Sequence, residues 1–129
     1  MKWIFILVFA LWGCSPQKSN PFDESKYVLV RTDSFNGNIG TEYFVFKSDT
    51  SRKRQVNYWG NGKLMSKSFT HNGKMDGEFI MYDYDGKLMV IDSFINGNKV
   101  YEKLFQEKDT SVKLFKNGKV QEFNNIDSF

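Results

Sequence analysis

The sequence predicts an all-β domain in which repeated β-hairpins follow one another as an antiparallel meander and form an open, twisted sheet. Three observations support this prediction. Asn-Gly and Asp-Gly pairs recur along the chain, and such pairs favour the tight turns that join the strands of a hairpin. The segments between these pairs have the length of strands and are rich in aromatic and β-branched residues. Outside the first fourteen residues, no segment shows the apolar spacing of an amphipathic helix.

The first element is predicted to be a signal-peptide helix over residues 1–13. A basic residue precedes the apolar residues 3–12, a run too short to cross a bilayer, which takes about 20 residues of helix. The sequence LWGC then resembles a bacterial lipobox, in which Leu11 and Gly13 precede the lipid-bearing Cys14. We therefore predict a lipoprotein signal peptide and lipidation at Cys14. The alternative is an ordinary signal peptide whose cysteine is incidental.

Residues 14–26 are predicted to form a flexible, lipid-anchored tether, since they contain both prolines of the chain, several polar residues and few apolar ones. The protein is expected in a bacterial membrane. The outer membrane, facing the periplasm, is favoured because no acidic run follows Cys14. Because Cys14 is the only cysteine, no disulfide can form within the chain.

The central element is a sequence repeat of 24 residues. Residues 58–81 and 82–105 align without a gap, and a fixed period of this length indicates an array of stacked hairpins. Each copy holds two Asn-Gly or Asp-Gly pairs, which are expected to form type I′ turns with positive φ at both residues. Together with a later pair, the predicted turns are Asn61-Gly62, Asn72-Gly73, Asp85-Gly86, Asn96-Gly97 and Asn117-Gly118.

The flanking elements complete a predicted domain over residues 27–125. Residues 42–46 are predicted to be a strand, residues 47–54 a polar loop with a solvated basic cluster, and residues 112–123 a closing hairpin. A single sheet of this kind leaves one of its faces without a second layer. We therefore expect the sheet to curl, to fold over, or to cover that face with a partner.

A turn-and-strand pattern that runs from the first copy into the second is similar to that of a known repeat family. Residues 72–79 (NGKMDGEF) are followed by Tyr82 and then by residues 85–88 (DGKL), and this order resembles the repeat of the MORN-repeat-variant family of bacterial proteins. The resemblance implies a MORN-like open sheet. It also implies a lipoprotein, and members are frequently catalogued as antitoxin components of toxin–antitoxin systems. The second copy departs from the pattern, since Tyr101 stands where the first has Gly77, a glycine that allows close packing.

The polar residues argue against an enzyme, a cofactor and a metal site. His71 is the only histidine and lies in a predicted turn region, and the chain has no G-x-S-x-G motif. Asp83 and Asp85 lack the spacing of a calcium loop and are expected to stabilise their turn. Asp76 and Glu78 are expected to face solvent at a strand edge. Without the signal-peptide lysine, the 18 basic residues fall to 17 against 15 acidic ones, a balance that does not indicate nucleic-acid binding.

The aromatic residues beside the turns remain as candidates for a binding surface, and Trp59, Tyr82 and Tyr84 are the ones selected. Most strand aromatics pack between strands, but one face of a repeat sheet often binds a partner. The sequence therefore favours a non-enzymatic, lipid-anchored protein-interaction module of the bacterial envelope, with the membrane and an unidentified protein as partners. The alternatives are an antitoxin or immunity-type protein that neutralises a toxin by binding, and a lipoprotein that binds cell-wall glycan.

Overall fold

The computed structural model describes residues 19–106, 109–116 and 118–124. Within these ranges the chain forms a single antiparallel sheet of ten strands, which confirms the predicted all-β meander and its open sheet. The predicted signal-peptide helix, the lipobox with Cys14, and Asn117 lie outside the described residues. No helix in the described part of the chain has the length and apolar character needed to cross a membrane.

The strands follow the chain in order, with one exception. A short 3-10 turn over Glu24–Lys26 precedes them. The strands are β1 (Tyr27–Phe35), β2 (Asn38–Phe46), β3 (Asp49–Tyr58), β4 (Leu64–His71), β5 (Lys74–Met75), β6 (Gly77–Tyr82), β7 (Leu88–Ile95), β8 (Asn98–Phe105), β9 (Thr110–Lys116) and β10 (Lys119–Asn124). Each pairs with the next along the chain, except that the short β5 pairs with β4 alone and β6 also lies beside β4. β1 and β10 are therefore the two edges of the described sheet.

The hairpin turns are of two kinds. At Asn36-Gly37, Asn72-Gly73 and Asn96-Gly97 both residues have positive φ, as a type I′ turn requires. At Asn61-Gly62 and Asp85-Gly86 only the glycine has positive φ. The expectation of a type I′ turn therefore does not hold at these two pairs.

The second kind of turn has a longer loop and a different hydrogen-bond pattern. The Trp59 N–H donates to the Lys63 carbonyl (2.8 Å), and the Gly62 N–H donates to the Trp59 carbonyl (2.9 Å). These bonds enclose a type I turn that ends in a glycine of positive φ, a common three-residue hairpin loop. The Asn61 side chain supports the loop, since its Oδ1 accepts a hydrogen bond from the Lys63 N–H (3.0 Å). An Asn-Gly pair alone is compatible with both kinds of turn.

The polar segment ahead of the first repeat copy belongs to a strand. β3 includes most of the range 47–54 that was predicted to be a loop. Arg54 is buried, and its guanidinium lies over the Phe44 ring, 4.9 Å from the centroid. Arg52 lies 3.1 Å from the carboxylate of Asp76, whose side chain is only 14% exposed. The prediction of a solvated basic cluster is therefore wrong at Arg52 and Arg54, although Lys53 is exposed. The prediction of a solvent-facing Asp76 is also wrong, because its carboxylate pairs with Arg52.

A cluster of buried aromatic residues lies on one face of the sheet, in the half that contains β1 to β4. Tyr27, Phe46 and Phe69 are buried together. The ring centroids are 5.1 Å apart for Tyr27 and Phe46 and 5.7 Å apart for Tyr27 and Phe69. Phe44 packs against this cluster. We call this side of the sheet the core face, and aromatic packing between strands is what stabilises it.

A segment ahead of β1 covers part of the core face. We call residues 20–26 the strap. The Phe22 ring meets the Phe69 ring edge-on, with centroids 5.7 Å apart. The Tyr27 hydroxyl donates a hydrogen bond to the Pro21 carbonyl (2.7 Å). Apolar packing and a hydrogen bond therefore both hold the strap against the aromatic cluster.

Charge holds the strap as well. The Glu24 carboxylate lies 3.2 Å from the Arg54 guanidinium and 3.6 Å from Lys67 Nζ. The strap falls within residues 14–26, which were predicted to be a flexible tether. The structure instead places residues 20–26 in the folded unit, because a sheet with a single layer exposes its apolar face and the adjoining segment covers it.

The opposite side of the sheet, which we call the polar face, carries a network of side-chain hydrogen bonds at its centre. Thr41 Oγ1 and Gln55 Nε2 both donate to Asn57 Oδ1, at 3.0 and 3.1 Å. Asn57 Nδ2 donates to Ser66 Oγ (2.9 Å). The pairing register places these residues side by side on β2, β3 and β4. The network satisfies these four side chains without a covering layer.

Candidate functional site

The three aromatic residues selected from the sequence lie together at one end of the sheet. Trp59 follows β3, Tyr82 is the last residue of β6, and Tyr84 lies in the turn between β6 and β7. The Trp59 and Tyr84 rings meet edge-on with centroids 5.9 Å apart, and Trp59 Nε1–H donates to the Tyr82 carbonyl (3.3 Å). Tyr84 is 57% exposed, whereas Trp59 and Tyr82 are half-buried. We call this group the aromatic end.

Hydrogen bonds between neighbouring turns hold the aromatic end in place. Asn61 Nδ2 donates to the Tyr84 carbonyl (2.9 Å). The preceding turn is joined in the same way, since Asn38 Nδ2 donates to the Gly60 carbonyl (3.3 Å). These bonds connect residues 23 and 22 positions apart, close to the 24-residue period of the sequence. The repeat therefore stacks its turns, and the side chains of one turn bind the carbonyls of the next.

The polar groups near the aromatic end stabilise turns. Lys63 Nζ donates to the Asp85 carbonyl (3.2 Å). Asp83 Oδ1 accepts hydrogen bonds from the backbone N–H groups of Asp85 and Lys87, both at 2.9 Å. The surface thus presents the exposed ring of Tyr84 and the partly exposed indole of Trp59, with charged turn residues such as Lys63 and Asp83 around them. Such a combination suits binding of a partner, since aromatic side chains with a polar rim are typical of interfaces.

The chain matches no protein-family model and no curated protein. The resemblance to the MORN-repeat-variant family therefore stays a prediction.

The only histidine of the chain is in a strand beside cationic and amide groups. His71 is the last residue of β4 and lies opposite Arg52 of β3. Its Nε2 is 3.5 Å from Asn72 Nδ2. Neither neighbour is a nucleophile that an imidazole could activate. In residues 19–106, 109–116 and 118–124, no group of three or more His, Cys, Asp or Glu side chains is placed to hold a metal ion.

Two groups of polar side chains join neighbouring strands. The Tyr58 hydroxyl donates to the Glu42 carboxylate, and this hydrogen bond, together with burial, raises the pKa of Tyr58 to about 12. Asp92 of β7 is buried, and its burial raises the pKa of its carboxyl group although Lys99 Nζ lies 3.3 Å away. Lys99 of β8 also lies 3.0 Å from Glu102. Since each group links two adjacent strands, its contribution is to the stability of the sheet.

A second exposed surface, which the sequence did not predict, lies along β1. Val28, Leu29 and Val30 are 46%, 47% and 60% exposed, and Phe35 at the end of the strand is 72% exposed. The sequence signal was the run of three adjacent apolar residues, which is typical of a strand buried on both sides. That signal becomes informative only once β1 is known to be an edge strand. We call this surface the β1 edge.

Proposed function

We propose that this protein is a non-enzymatic interaction module, anchored to a bacterial membrane through lipid on Cys14, which binds a protein partner at the aromatic end. The observation that supports the proposal is the placement of Tyr84. Its ring is exposed yet lies against Trp59, in a turn that is bonded to the neighbouring turn. The sequence motifs favour a lipoprotein of the MORN-repeat-variant type on the outer membrane, facing the periplasm.

An exposed tyrosine that is already held in place is a favourable contact residue. Tyrosine and tryptophan are enriched among the residues that dominate interface energies, because they bury a large area with few rotatable bonds. The hydrogen bond from Asn61 to the Tyr84 carbonyl fixes the turn before any partner arrives. Binding at Tyr84 therefore costs little further conformational entropy.

The proposed anchor would keep the domain close to the membrane. Five residues lie between Cys14 and the start of the strap at residue 20, so the chain from Cys14 to residue 20 spans at most about 20 Å when fully extended. The sheet would stay near the bilayer surface. The partner is accordingly expected to be another protein of the envelope.

Site-specific photo-crosslinking in cells tests the proposed surface. A photoreactive phenylalanine analogue in place of Tyr84 is expected to give a defined crosslinked product with a protein partner. The matched control is the same analogue in place of Lys74, an exposed residue at the opposite end of the strands. Trp59→Ala should lower the yield at position 84, because it removes the ring that supports this turn. No product at position 84, or the same products at both positions, would contradict the proposal.

Metabolic labelling tests the lipid anchor separately. Growth with a clickable palmitate analogue is expected to label the parent protein and to leave Cys14→Ala unlabelled. The variant should also be released from the membrane fraction. An unlabelled parent protein would rule out the anchor while leaving the aromatic end as an interaction surface.

Binding of cell-wall glycan is the second candidate for the aromatic end. The observation that favours it is the exposed Tyr84 ring beside the polar turn residues Asn61 and Lys63. Retention of the parent protein on purified peptidoglycan, lost in Tyr84→Ala, would favour glycan over a protein partner. If the protein that crosslinks at position 84 is a toxin, the result would support the antitoxin-type role.

A further inference from the structure

The outer side of β1 leaves the backbone of an apolar strand open. β1 is nine residues long and pairs with β2 on one side. Its outer N–H and C=O groups meet no other strand in the described part of the chain. Edge strands are normally short, charged or covered, because a long apolar edge recruits another strand. With Leu29 and Val30 about half exposed, the β1 edge has the features of a docking surface for a further strand.

The side chains of β1 are complementary to those of a second copy of the same strand. With two copies antiparallel about a two-fold axis at Thr32, Arg31 of each lies opposite Asp33 of the other. These three residues form the regular segment between the two irregularities of β1, which lie at Leu29/Arg31 and Asp33/Ser34. Opposite charges that face each other across a strand pair stabilise it, and like charges destabilise it. With the axis at Arg31 or at Asp33, two like charges would meet at the axis. The charges of β1 therefore favour one register over its neighbours.

We propose that the β1 edge joins two copies of this protein into a two-fold symmetric dimer with Thr32 at the axis. Arg31 and Asp33 lie 3.2 Å apart within one copy, and their side chains are 61% and 53% exposed, so both are accessible to a second copy. A contact that uses the same surface on both partners closes at two copies. The dimer depends neither on the lipid anchor nor on the partner at the aromatic end.

Cysteine crosslinking of the full-length chain in mild detergent tests this geometry. Cysteines at position 32 of the two copies would face each other with Cβ atoms about 5 Å apart, so Thr32→Cys is expected to form a covalent dimer with a short bifunctional thiol reagent. Cysteines at position 28 would be eight residues apart, about 27 Å along the strand, so Val28→Cys is expected to give roughly a tenth of that yield or less. The parent chain, which retains Cys14, provides the background.

Charge reversal tests the register. Arg31→Glu is expected to weaken self-association, measured by sedimentation, by roughly tenfold or more, because two opposite-charge pairs become two like-charge pairs. The double variant Arg31→Glu/Asp33→Arg restores opposite charges in the same register. Its dissociation constant should return to within about threefold of the parent value. Circular dichroism of each variant separates loss of the dimer from loss of the fold.

Several results would overturn the dimer. These are a parent chain that sediments as a monomer at every concentration, equal crosslinking at positions 28 and 32, and an Arg31→Glu variant that associates as well as the parent. Mixing Thr32→Cys with Gln121→Cys, which lies on β10, tests the competing arrangement. A covalent product between these two variants would indicate head-to-tail pairing of opposite edges, which is a different contact and also excludes the proposed one.

Discussion

Gly77 is the position at which this fold depends most directly on the absence of a side chain. Its φ is +110°, a conformation that residues with a Cβ atom rarely adopt. A Cβ added at Gly77 would lie 2.8 Å from Cδ1 of the Phe22 ring and closer still to its Cε1. Phe22 belongs to the strap. Gly77→Ala is therefore expected both to strain the backbone and to push the strap away from the core face.

The expected loss of stability has two parts of similar size. Backbone strain at positive φ costs about 1–2 kcal/mol for alanine. Displacing the half-exposed Phe22 removes its edge-on contact with Phe69 and part of its burial, which together are worth about 1–2 kcal/mol. Gly77→Ala should thus lower the free energy of unfolding by about 2–4 kcal/mol, and Phe22→Ala by about 1–2 kcal/mol. The double variant should lose about 2–4 kcal/mol, less than the sum of the two single losses. Both single variants remove the contact of the Phe22 ring, and this contact can be lost only once.

Urea unfolding of the full-length chain, followed by far-UV circular dichroism, measures these differences. Gly37→Ala is the matched control, because Gly37 has a φ of +80° and no atom within 4 Å of an added Cβ. It should show the cost of backbone strain alone. If the effects of Gly77→Ala and Phe22→Ala were additive, or if Gly77→Ala cost no more than Gly37→Ala, the contact between strap and Gly77 would be refuted.

Three further changes test a turn and the polar contacts between strands. Asn72 has a φ of +51°, so Asn72→Ala should lower the free energy of unfolding by about 1 kcal/mol, whereas Asn72→Gly should change it by less than about 0.5 kcal/mol in the same urea assay. The pKa of Tyr58 is raised to about 12, so the stability that this group contributes is complete below about pH 10 and is lost as the pH rises toward that value. Ultraviolet titration should show one tyrosine that ionises late, and Glu42→Gln should bring its pKa back toward the ordinary value. Lys99→Met should lower the free energy of unfolding by about 2 kcal/mol at pH 7, because it leaves the buried Asp92 without its cation. At pH 4 the loss should be smaller, since burial raises the pKa of Asp92 and the carboxyl group then binds a proton; equal losses at both pH values would exclude this role.

The 24-residue repeat was sufficient to predict the sheet and to bring the aromatic end together. Turns one period apart lie in neighbouring hairpins, so residues near equivalent positions of the two copies meet. Trp59 and Tyr84 are 25 positions apart in the chain, and their rings are in contact for this reason. The exposure of Tyr84 relative to Trp59 could not be predicted, because it depends on which ring lies outermost where the two turns stack.

The strap could not be predicted, because it does not follow from the period. Phe22 is an isolated apolar residue in a polar segment, and it packs beside Gly77, which lies 55 positions later in the chain. The exchange of Gly77 for Tyr101 between the two copies was visible in the sequence as a departure from the repeat. The structure gives it a physical reason, since the strap crosses the first copy and its phenylalanine occupies the space that a side chain at position 77 would need.

A repeat specifies contacts between neighbouring hairpins, and it leaves open how the array ends. Each inner strand of the described sheet is hydrogen-bonded to a neighbour, and the next strand extends the sheet. β1 has a neighbouring strand on one side only. Residues outside the repeat must therefore determine what happens at this edge. A row of like charges would repel every added strand, including a second copy of β1. β1 instead carries Arg31 and Asp33 at equal distances on either side of Thr32, an order that attracts a second copy in one register and repels it when the axis moves by one residue. The same two charges would then prevent indiscriminate pairing and select one partner. If they served only to keep the edge soluble, charge reversal at Arg31 would not weaken the dimer, and the second reversal at Asp33 would not restore it.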